Sequence, residues 1–148
     1  MTALLPDMHD FDADSGGLDE MSAWRNFGGL TLQEASRKFR ECPEGYQEDF
    51  MWMGGAAFAY YFPVIESYLR DTSNVCPGDD RQAWILAKCI KLQFAGEVTP
   101  QVRELAPRVL DLAEFVQSNI NLFAPSDVEE QQEIVDAWLE LRDGLAHA

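Results

Sequence analysis

The chain has 148 residues, 47% of them hydrophobic, and sets 26 Asp+Glu against 11 Lys+Arg for a formal charge of −15. That is enough apolar material for a single domain whose core needs neither disulfides nor metals. So negative a surface repels nucleic-acid phosphates and anionic membranes, which excludes both as partners, and it favours encounter with basic proteins.

Residues 1–20 carry Asp7, Asp10, Asp12, Asp14, Asp19 and Glu20 with no base, and read as an acidic arm ahead of one helical domain at 21–148. Thr31-Leu-Gln-Glu34 is a capping box: the Thr hydroxyl accepts from the Glu34 N–H while Glu34 reaches back. It predicts a helix to about Cys42, stopped by Pro43. A short helix over 44–53 then ends at Gly54-Gly55.

The stretch from Met51 to Leu69, MWMGGAAFAYYFPVIESYL, has one charge but contains Gly54-Gly55, Pro63 and Glu66, and it lacks flanking positive asymmetry. It reads as a core helix over about 56–71. Phe58, Tyr61, Phe62, Ile65, Tyr68 and Leu69 share one face, Glu66 and Arg70 are spaced for an i,i+4 pair, and Pro63 predicts a bend.

Pro77-Gly78 marks a turn, and Asp79-Asp80 offer caps for a helix over about 80–95 that ends at Gly96. Thr99-Pro100 opens the next helix, where Pro107 predicts a kink or a split. Ser126-Asp-Val-Glu129 reads as a second capping box, opening a last helix to about Asp143. The expectation is an all-α, single-domain bundle of five or six helices.

Chemical motifs fail on inspection. Asp10, Asp12 and Asp14 imitate the start of a calcium loop, but Ser15 and Met21 stand where Gly and the bidentate Glu belong. Cys42, Cys76 and Cys89 form no CxxC pair and suit a reducing cytosol. His9 and His147 sit at opposite ends, leaving no histidine for a nucleophile system, a zinc cluster or HExxH. No catalytic residue, cofactor or metal site is therefore expected.

One constellation stands out. On the last helix Glu129, Glu133, Asp136, Glu140 and Asp143 fall within about 80° of arc at 3.6 residues per turn. Like charges at i,i+4 oppose each other, so the column is solvated, paired internally by Arg81, Lys88 and Lys91, or waiting for a basic partner. Glu48, Asp49, Trp52 and Tyr60 form a secondary candidate contact set, since Trp and Tyr are enriched at interfaces.

The run from GGLTLQEA through YQEDFMWMGGAAFAYYFPVIESYL resembles small acidic bacterial proteins, among them immunity proteins of polymorphic toxin systems. Trp52-Met53-Gly54, Ala57-Phe58, Tyr60-Tyr61, Pro63 and Tyr68-Leu69 carry the resemblance; they are packing residues and transfer no site. The resemblance implies a cytoplasmic, non-enzymatic protein that neutralises a basic toxin by binding it. An acidic secretion chaperone or adaptor is the alternative, followed by an enzyme using carboxylates in a pocket.

Overall fold

A computed structural model describes residues 4–72 and 81–146. Among these residues there is no strand; the chain forms a short 3₁₀ turn at Ala13–Ser15 and ten α-helical segments. Six are of ten residues or more: α1 (Leu18–Phe27), α2 (Leu32–Glu41), α5 (Gly55–Arg70), α6 (Ala83–Gln93), α8 (Ala106–Ser118) and α10 (Val128–Ala146). Single turns α3 (Pro43–Tyr46), α4 (Asp49–Trp52), α7 (Pro100–Arg103) and α9 (Ile120–Phe123) connect them. The all-α expectation holds and the count exceeds five or six, because α1 goes unpredicted, the short helix over 44–53 is two turns (α3 and α4), and the helix opened at Thr99-Pro100 is divided into α7, α8 and α9. The turn at Pro77-Gly78, the caps Asp79-Asp80, Cys76 and His147 lie outside the described residues.

Local signals explain most boundaries. Both halves of the Thr31–Glu34 box form, with the Thr31 N–H donating to Glu34 Oε1 at 2.9 Å and the Glu34 N–H to Thr31 Oγ1 at 3.2 Å. Thr99 caps α7 through the Val102 N–H at 3.3 Å. Pro107 falls in the first turn of α8, where its missing N–H is no loss, so the helix is split there rather than kinked. The cap of α10 lies one residue beyond the expected one: Asp127, not Ser126, accepts the N3 amide, from Glu130 at 3.1 Å.

The centre of the molecule is α5, which packs against α2, α6, α7 and α8. All six residues of its predicted stripe are buried, and Ala57 and Val64 join them. The helix continues through Pro63. Glu66 does not pair with Arg70; it takes Arg108 of α8 at 2.6 Å, while Arg70 lies over the Phe115 ring. A cross-helix partner won because α8 crosses α5 on that face.

Rings from four helices and the N-terminal segment form one continuous set. Phe27 meets Phe50 at 5.4 Å, Phe50 meets Phe39 at 5.4 Å, and Phe39 stands edge-on to Tyr68 at 5.0 Å. Tyr61 sits between Phe27 and Phe11, with its hydroxyl shared between the Phe27 and Leu30 carbonyls at 2.9 and 2.7 Å.

The acidic N-terminal stretch is no separate arm. Phe11 is fully buried against Trp24 and Tyr61, and Ala13 is buried too. The Phe11 and Asp10 carbonyls accept the Gly54 and Ala57 amides at 3.1 and 3.2 Å, satisfying donors at the start of α5 that no side chain caps. This approach demands Gly54, since a Cβ there would collide with the Asp10 carbonyl oxygen. Charge density suggested an arm, but one aromatic and two carbonyls hold the segment in place.

At the far end of α5, buried Arg81 donates to the Leu69 and Tyr68 carbonyls and lies over the Tyr68 and Phe123 rings. It closes the orphan carbonyls of α5 and is not positioned for the acidic column.

Candidate functional site

The last helix buries Ile134, Ala137, Trp138 and Leu141 against α6 and α8. Trp138 is the largest fully buried side chain, and its indole N–H donates to the Ala83 carbonyl at 3.0 Å. These contacts set the helix rotation and turn Glu129, Glu133, Asp136, Glu140 and Asp143 outward, all five exposed. Val128 and Leu139 of the same helix are 78% and 40% exposed. At about 100° per residue they border the column on the edge away from α6.

Internal pairing of the column is slight. Among the described residues it has one ion pair, Lys91 Nζ to Glu140 Oε2 at 3.4 Å, and both groups are about half exposed. Asp136 accepts from the Gln132 amide at 2.8 Å. Lys88, the other expected base, turns to the Trp84 ring, its Nζ 4.9 Å from the centroid.

Trp84 brings the column into a shaped site. It stands in the first turn of α6, 37% exposed, on the flank facing α10. Between the two helices lies a crevice of about 260 Å³ lined by Trp84, Ile134, Asp127, Glu129, Glu130 and Glu133. Its walls are therefore an indole, an aliphatic side chain and four carboxylates. Chemically it suits a cation with a flat apolar face, which can lie on the indole and point its donors at the acids. Sequence reasoning took only the bases Lys88 and Lys91 from this helix and passed over Trp84, although the i,i+4 spacing of Trp84 and Lys88 sets them side by side.

The secondary set separates. Asp49 is 8% exposed and turned inward, accepting from the Asn26 amide at 2.8 Å; Lys38 Nζ in turn donates to the Asn26 carbonyl at 2.6 Å. Burial raises the Asp49 pKa, opposed by the Asn26 hydrogen bond and the nearby Lys38 charge. Asp49 is thus a structural acid linking α1, α2 and α4 and no contact residue. Tyr60 is half-buried and edge-on to Tyr61 at 4.9 Å. Glu48, just before α4, and Trp52, at its end, remain exposed, Trp52 at 40%; α4 packs on α1 and α6.

Other chemistry has little to draw on. Burial pushes the Cys89 thiol up to about 12, far from a reactive thiolate. No cluster of three potential metal ligands occurs among the described residues, and no helix there is long and apolar enough to cross a membrane. No family model, curated protein or solved structure matches the chain, so the functional reading rests on this geometry.

Proposed function

We propose that this is a non-enzymatic, cytosolic protein-binding domain, most concretely an immunity protein that neutralises a basic toxin by covering it with the outer face of α10. The crevice beside Trp84 carries the reading, because there the exposed acids adjoin an exposed indole and an aliphatic wall. Acids alone give long-range attraction, whereas an aromatic anchor ringed by charge resembles the centre of a binding patch. The exposed Val128 and Leu139 extend the apolar contribution along the column. A reducing compartment agrees with free Cys42 and Cys89.

Co-expression with the product of the adjacent gene, followed by affinity capture and a growth-protection assay, tests this directly. A stable complex and protection are expected; neither appearing would sink the reading. Association should also slow steeply between 50 and 500 mM salt, as the Debye length falls from roughly 14 Å to about 4 Å. Dissociation should change far less.

A further inference from the structure

The geometry points to an arginine side chain of a basic protein as the occupant of the α6–α10 crevice, its guanidinium lying on the Trp84 indole in the place Lys88 now holds. This deepens the protein-binding reading and rests on it.

The indole already attracts a cation. Lys88 Nζ sits 4.9 Å from its centroid, yet Lys88 forms no ion pair with any carboxylate among the described residues. Tethered one helical turn from Trp84, Lys88 satisfies the ring and does not reach Glu129 or Glu133 of α10. Glu129 and Glu133 likewise meet no base among the described residues. A cation arriving from outside can do both at once. The crevice has room for one large side chain, at about 260 Å³.

Guanidinium fits better than ammonium for two reasons. It is planar and weakly hydrated, so it stacks on an indole at little desolvation cost. Its five donors fan out in a plane, so a stacked guanidinium still reaches carboxylates on one edge, whereas the Lys88 ammonium is a single point. Lys88 is then a placeholder that keeps the indole solvated as a cation–π pair until the partner's arginine displaces it.

Acetylated octa-arginine, octa-lysine and spermine serve as probes of the full chain, read by the indole N–H resonances of its tryptophans and by calorimetry. Octa-arginine should shift the Trp84 resonance and leave that of buried Trp138 in place. Trp84→Ala should weaken octa-arginine binding about fivefold, the scale of one cation–π contact. Trp52→Ala, which removes a comparably exposed indole elsewhere, should leave it unchanged. Lys88→Ala should tighten binding roughly threefold by removing the competing cation, an effect that lost packing cannot imitate.

An unmoved Trp84 resonance, equal losses in Trp84→Ala and Trp52→Ala, or equal binding of octa-lysine or spermine would overturn the assignment. Capture of the co-expressed partner equally by wild type and Trp84→Ala would also overturn it, while leaving the protein-binding reading intact. Octa-arginine seated on Trp84 with no basic partner captured would do the reverse.

Discussion

Asp49 and Tyr61 are polar residues enclosed by the fold, and burial moves both proton equilibria upward. For Tyr61 desolvation dominates and the pKa rises to about 12 from 10. The folded state then holds a proton that the unfolded chain has released, so stability falls as pH climbs from 10 towards 12. Tyr61→Phe should lower stability by about 1–2 kcal/mol at neutral pH, since the Phe27 and Leu30 carbonyls lose their donor. Urea unfolding at pH 8 to 11.5 checks this: the gap between the two proteins should close at the alkaline end. Asp49 follows the same sign. Its folded pKa exceeds the unfolded one, so its contribution is present at low pH and lost as pH rises through the folded value. Asp49→Asn keeps an oxygen for Asn26 and removes the buried charge. It should match or exceed wild type at pH 7, with an advantage that shrinks on acidification. Asp49→Leu strands the Asn26 amide and should be less stable than either.

Elements here are begun by local chemistry and placed by distant partners. The Thr31 box, the Thr99 cap and the breaks at Pro43 and Pro107 depend on groups within four residues, so they were legible in the chain. The N-terminal segment was not. Its acids suggested a solvated arm, whereas Phe11 fills a site between Trp24 and Tyr61 that exists only once α1 and α5 have met. Phe11→Ala should therefore cost about 3–5 kcal/mol, the range for emptying a buried aromatic site, and lower the melting temperature sharply. A true arm would lose almost nothing in the same thermal melt. Glu66 teaches the same point: i,i+4 spacing offered Arg70, and the crossing of α8 supplied Arg108 instead.

At the scale of the whole molecule, charge is the dominant feature left without internal compensation. Among the described residues, three Lys or Arg side chains pair with carboxylates: Arg40 with Asp71, Lys91 with Glu140 and Arg108 with Glu66. Net charge far from zero opposes compaction through self-repulsion, and salt screens it. Raising sodium chloride from 10 to 200 mM should therefore increase the melting temperature by a few degrees, about 1 kcal/mol for a chain of this size. A flat or falling profile would mean that the acids are already balanced within the fold. Opposite salt responses for stability and for partner association would mark the same carboxylates at work in both.

Composition, helical periodicity and cap chemistry determined the all-α class, the starts of α2, α3, α5 and α7, the buried stripe of α5 and the existence of the acidic column, because each depends on neighbours along the chain. The tertiary structure decided which acids face water, that Asp49 turns inward, that Arg81 serves α5, and that Trp84 stands beside Glu129 and Glu133. The first and last of those outcomes depend on how α10 rotates to bury Trp138 against α6, a contact between residues 55 positions apart that no local pattern encodes; the other two depend on contacts of Asp49 with Asn26 and of Arg81 with the end of α5 that are equally non-local.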